Sequence, residues 1–172
     1  MTDKTPVFET GDWIVHLHHG VGQIQSRSVK RIGDHESEYF RIEMRDSTLW
    51  VPVDKMDEDT FRPIADEEEF NEALEVLQES PYRMASNFNK RKSRIRKLES
   101  KHSFVALARI VRDLWARQKR KSLSNTEETA LRRTTKRLLS EWAICTGEQV
   151  EEAEHKLYSL LRESHADVVA AD

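Results

Sequence analysis

From Asp12 to Val53 the chain alternates apolar and polar positions with period two, the pattern of strands buried on one face. Phe40, Ile42 and Met44 alternate with Tyr39, Arg41 and Glu43, and Leu49, Val51 and Val53 repeat the rhythm. Turn signals at His18-His19-Gly20, Gly33-Asp34 and Asp46-Ser47 separate the runs. This spacing predicts strands near 12–17, 21–31, 38–45 and 48–53, with a short fifth near 60–64. Strands this close together, joined by tight turns, imply a small antiparallel barrel.

After Pro63 the period becomes helical. Asp66 and Glu69 have capping-box spacing, and Phe70, Leu74 and Leu77 line one face of a helix that Ser80-Pro81 must end. A second helix starts at Ser86 or Asn87 and runs to about Glu99, and a third carries Phe104, Leu107, Val111, Leu114 and Trp115 on one stripe. Ser124, three residues before Glu127, caps a fourth helix with Leu131, Leu138, Leu139 and Trp142 inward; Gly147 closes it. A last helix spans about 148–165. The expected class is therefore β + α: a small antiparallel barrel resembling SH3 or Tudor folds, followed by an all-α unit.

The 172 residues fit one average domain or two small ones. Apolar runs are only a few residues long, far below the roughly 20 that span a bilayer, so no membrane partner is expected. The N-terminus lacks the apolar core of a secretory signal, and the single Cys145 cannot form an internal disulfide, which leads to the expectation of a cytoplasmic location. Phosphate-loop and G-x-S-x-G patterns are absent, so no catalytic residue, cofactor or metal is expected. His16 and His18 would share a strand face, but no carboxylate or thiol lies beside them in sequence, and a metal site stays the remote reading.

Charge changes the picture through its distribution. The net value is only −3, yet residues 81–121 hold fourteen Lys and Arg against Glu99 and Asp113 alone. Acidic stretches at 66–80 and 148–172 flank this block. Lys90, Arg91, Lys92, Arg94, Arg96 and Lys97 crowd one helix, and Arg117, Lys119, Arg120 and Lys121 end the next. A solvated helix face usually mixes signs; this one implies a polyanion partner, or relief by the chain's own acids. Phe88 opens the basic helix. It is either a wedge between base steps or, sharing a face with Ile95 and Leu98, part of the core, and periodicity tips toward core. Trp50 alternates outward from Leu49 and Val51, as an interface anchor or as packing beneath a neighbouring element.

Gly11-Asp12-Trp13-Ile14-Val15-His16-Leu17-His18-His19-Gly20-Val21-Gly22-Gln23-Ile24 resembles the opening of CarD-like bacterial transcription regulators, G-D-x-V-V-Y-P-x-H-G-V-G-x-I. Trp50-Val51-Pro52-Val53 resembles their later R-V-P segment; Val111-Arg112-Asp113-Leu114-Trp115, then Leu123-Ser124 and Glu127, are similar to V-R-D-L-W and L-S-x-x-E. The matches are ordered over about residues 11–142.

The resemblance implies a non-enzymatic regulator, a monomer when free. Its Tudor-like domain, residues 11–64, grips the β subunit of RNA polymerase; its helical DNA-binding domain, residues 65–168, contacts promoter DNA at the upstream edge of the melted bubble and stabilises the open complex. Residues 1–10 are expected to be a flexible N-terminus and 169–172 a frayed tail. The implied DNA contacts are Asn87, Phe88, Lys90, Arg91, Lys92, Arg94, Lys97, Lys119 and Lys121, with Asn87-Phe88 standing where the family has Asn-Trp. The implied polymerase contacts are Lys30, Trp50 and Pro52, Trp50 replacing the family's Arg, which shifts contact from ion pairing toward apolar burial. The polymerase contact would place the chain at the nucleoid. The alternative is a protein-interaction module that meets polymerase or another acidic partner without touching DNA.

Overall fold

The computed structural model describes residues 7–170, with side chains to residue 166. Strands β1 (Trp13–His16), β2 (Gly20–Ile32), β3 (His35–Met44), β4 (Thr48–Pro52) and β5 (Phe61–Pro63) form one antiparallel sheet in the order β4-β3-β2-β1-β5. Inward positions are those the alternation selects: Ile14, Ile24, Phe40, Ile42 and Met44 are buried together with Met56 and Phe61, and Leu49, Val51 and Val53 pack against them. Val53 itself leaves the strand and opens a 3-10 turn, Val53–Lys55, because the chain must bend before it returns as β5. The register shifts between Ile24 and Ser26, where Gln25 forms a bulge.

Gly22 fixes how closely β2 approaches β3. It pairs with Ile14 on one side and Met44 on the other, and a Cβ built there would lie 2.3 Å from Met44 Sδ and 3.0 Å from Glu43 O. Gly22→Ala is therefore expected to overpack the sheet and cost about 1–3 kcal/mol, read as a lowered urea midpoint at unchanged slope.

One detail of the N-terminal segment differs from the expectation. Phe8, placed in the flexible segment, is buried in the sheet core, and Gly11 N donates to Ile24 O at 2.7 Å. An aromatic side chain with an apolar pocket to enter does not stay in water. Residues 1–6 of that segment, and 171–172 of the expected frayed tail, lie outside the described residues; the last helix runs to Ala170.

The chain divides between Ile64 and Ala65 into two compact units. The second contains α1 (Glu67–Gln78), α2 (Phe88–Glu99), α3 (Phe104–Arg120), α4 (Asn125–Thr146) and α5 (Val150–Ala170). Its caps are local chemistry: Asp66, Asn87, Ser103 and Ser124 each accept the amide three residues on, and Gly147 closes α4 at φ 72°. Ser124 and Glu127 make both bonds of a capping box. Asp66 makes only its own half, since the Glu69 carboxylate is taken by Phe104 N at 2.7 Å.

The main helical core joins α1, α3, α4 and α5 through Leu77, Phe104, Val111, Leu138, Trp142, Leu157 and Leu161. A smaller cluster, Ile95, Leu98, Ile110, Leu114, Leu123 and Ala130, seats α2. No helix among the described residues is long and apolar enough to cross a membrane.

Candidate nucleic-acid interface and protein-docking face

Asn87 caps α2 by accepting Lys90 N at 3.1 Å, so Phe88 begins the first helical turn. Phe88 belongs to neither helical cluster and is 38% exposed. Periodicity tips it toward the core; being first in the helix, it sits above the apolar seat that Ile95 and Leu98 occupy. Lys90, Arg96 and Lys97 point to solvent, and Lys92 is half-buried.

Arg91, expected on the DNA strip, is turned inward instead. It is 7% exposed, and its guanidinium donates to Glu127 Oε1 at 2.5 Å, to Ser86 O at 2.5 Å and to Ala85 O at 3.2 Å. The cause is helical spacing: Arg91, Ile95 and Leu98 fall at i, i+4 and i+7, one face of the helix. Arg94 is also engaged, donating to Asp113 Oδ2 at 2.9 Å and stacking 3.8 Å over the Tyr82 ring. Lys119 and Lys121 are exposed at the end of α3, with the Lys119 ammonium 5.0 Å from the Trp115 ring.

Two buried carboxylates organise this surface. Asp113 takes Arg94, Arg112 Nε at 2.9 Å and Tyr82 N at 3.0 Å. Glu127 takes Arg91, Ser124 N at 2.9 Å and Ser124 Oγ at 2.8 Å. Burial alone would raise the Glu127 carboxyl; the Arg91 hydrogen bond, then those from Ser124, more than offset it and hold it at about 2. The acidic helix α1 and its C-cap reach α3, through Glu72 to Arg109 at 4.0 Å and C-cap Glu79 to Arg112 at 3.0 Å. Arg83, Lys90, Lys92, Arg96, Lys97, Lys101, Lys119, Arg120 and Lys121 make no ion pair among the described residues. The chain's own acids thus satisfy the inward cations and leave the outward ones.

On the sheet unit, Trp50 pairs with Arg41 and Pro52 with Tyr39, so both point away from the core. Trp50 is 44% exposed, and the Lys30 ammonium lies 3.0 Å over its ring. Lys30, Trp50 and Pro52 therefore share one outer face beside the edge strand β4. The histidines shape a turn. β1 ends at His16, whose Nδ1 accepts the amides of His18 at 3.0 Å and His19 at 3.2 Å; no group of ligands that could hold a metal occurs among the described residues.

An antiparallel sheet unit with an aromatic-cationic outer face, followed by a helical unit bearing a strip of outward cations, defines a two-unit protein of the β + α class. Residues 8–65 match the CarD-like/TRCF RID domain, and residues 72–158, half of the chain, match the CarD C-terminal domain. The chain belongs to the CarD-like family of transcription factors. YdeB of Bacillus subtilis, a candidate transcription factor, is 26% identical over 149 residues, covering 82% of this chain and 94% of that protein. The transcription-repair-coupling factors of Staphylococcus epidermidis and Staphylococcus haemolyticus are 41% and 39% identical over 49 residues, 28% of this chain. The chain spans only 4% of the length of those two proteins.

Proposed function

We propose that this protein regulates transcription by docking its sheet unit on the β subunit of RNA polymerase while α2 and the end of α3 hold promoter DNA at the upstream edge of the bubble, stabilising the open complex. The observation that carries the reading is the pairing pattern of the basic block. Among the described residues, every buried cation of that block has a carboxylate within 4.0 Å, whereas the outward cations of α2 have none apart from Arg94, and an exposed aromatic leads them. This pattern supports a surface that neutralises backbone phosphates beside a groove-entering wedge. Asn87, Phe88, Lys90, Lys92, Lys97, Lys119 and Lys121 are its contacts; Arg91 and Arg94 act from behind, fixing the helix.

On the docking side, Trp50 offers a flat apolar anchor with Lys30 stacked on it, and β4 offers a sheet edge. Contacts made only with the open complex shift the closed-to-open balance by no more than their own free energy. The test is a pull-down on isolated β subunit combined with anisotropy on a forked promoter duplex. Wild type is expected in both complexes, and Trp50→Ala is expected to lose the β subunit, a truncation worth about 2 kcal/mol or more at an interface anchor, while keeping its duplex affinity. Retention of Trp50→Ala at wild-type strength contradicts the docking face; absence of any duplex binding at moderate salt, with polymerase or without, contradicts the DNA half and leaves a protein-interaction module.

A further inference from the structure

The segment 81–86, between α1 and α2, has no helix or strand, yet it is held at both ends. Tyr82 N is bonded to buried Asp113, the Tyr82 ring lies under Arg94, and the carbonyls of Ala85 and Ser86 accept from buried Arg91. It forms a ridge with a cleft on each side. One cleft, of about 330 Å³, is lined by Lys90, Arg94 and Lys97 of α2 with Tyr82 and Ala85. The other, of about 490 Å³, is lined by the same Tyr82 and Ala85, by Arg83, and by Arg117, Arg120 and Lys121 at the end of α3.

The larger cleft is short of negative charge. Among the described residues its one acid is Asp113, which has both oxygens occupied, Oδ1 by Tyr82 N and Arg112, Oδ2 by Arg94. Arg117 is ion-paired to Glu127, with Nε 3.6 Å from Oε1, and among the described residues that buried Nε makes no hydrogen bond. Arg83, Arg117, Arg120 and Lys121 all line this cleft.

We infer that the cleft between the 81–86 ridge and the end of α3 seats a backbone phosphate of the same nucleic acid that α2 holds, with Arg83, Arg117, Arg120 and Lys121 as its donors. Two cationic clefts placed back to back across one shared ridge fit successive phosphate positions along a polymer; a small free anion would need only one of them. The inference rests on the DNA-binding reading above, and adds to it the residues Arg83, Arg117 and Arg120.

The experiment is a salt series of anisotropy titrations of the full chain on a labelled forked duplex. Two variants remove cations from separate walls of the cleft: Arg120→Ala with Lys121→Ala from α3, and Arg83→Ala from the ridge. All are exposed, so folding is expected to survive and is checked by circular dichroism. Each variant is expected to weaken binding several-fold and to flatten the log–log salt slope by roughly 0.9 for each phosphate that is no longer neutralised. Lys90→Ala with Lys97→Ala serves as the reference for the α2 cleft. If that reference loses slope while the cleft variants keep the wild-type value, the inference fails and the DNA reading stands; if wild type binds no duplex, both fail. Sodium tripolyphosphate supplies the remaining arm. Should it stabilise wild type but not the Arg120/Lys121 variant, with duplex slopes unchanged, the cleft is a small-anion site and the backbone assignment is overturned.

Discussion

Glu127→Ala is expected to destabilise the helical unit by about 3–5 kcal/mol, the usual cost of removing one partner from a buried ion pair. Arg91 would be left 7% exposed with its main acceptor gone, and Arg117 would lose the carboxylate 3.6 Å away. The capping box of α4 would go with it, worth about 1 kcal/mol of that total. Urea unfolding of wild type and variant gives the difference directly.

The same carboxylate sets an acid limit. Its folded pKa, about 2, is below the ordinary 4.5, so the stabilisation from its charged form is complete above about pH 4.5 and is lost as pH falls toward about 2. From the size of that shift the loss is about 3 kcal/mol. Glu127→Gln, which keeps the shape but not the charge, is expected to flatten this part of the pH–stability curve. A wild-type slope retained between pH 4.5 and 2 in that variant would assign the acid sensitivity elsewhere.

The second large effect is on function. Phe88→Ala is expected to shorten the open-complex lifetime roughly tenfold, because burying an inserted phenyl ring is worth about 1.5–3 kcal/mol and each 1.4 kcal/mol is a factor of about ten. Stability should change by no more than about 0.5 kcal/mol, since the ring lies outside both helical clusters. Phe88→Trp, with more area and an indole donor, is expected to lengthen the lifetime. Competitor-challenge kinetics on a polymerase–promoter complex give all three values. An unaltered lifetime in folded Phe88→Ala removes the wedge from the mechanism.

Much of this fold can be read from the chain because its signals are local. Alternation alone places Phe40, Ile42 and Met44 inward and Trp50 outward, and Ser124 with Glu127 marks the start of α4. What alternation and composition miss depends on distant partners. Arg91 counts as one more cation until Glu127, thirty-six residues away, is brought beside it. Asp113 looks like one of two acids opposing a basic run, yet it is a buried hub for two arginines and a backbone amide. The candidate site is legible in its outward members, which need no partner from the chain, and obscure in the inward residues that hold them. Phe88 falls between: its spacing from Ile95 fits one face, but its place at the start of the helix leaves the ring beyond the cluster that face covers.

The long hairpin of β2 and β3 outruns its neighbours. β1 covers β2 only from Gly20 to Gln23, and β4 covers β3 only from Tyr39 to Glu43, so residues 29–32 and 35–38 pair solely with each other among the described strands. Val29 and Ile32 are more than half exposed there. A two-stranded ribbon has little of its own to stay zipped. Its amides will exchange hydrogen far sooner than those of the sheet proper, and the ribbon can peel open while the rest stays folded. Lys30, lying over Trp50, is a clasp at that fraying end, so whatever covers the indole also decides how tightly the tip is shut.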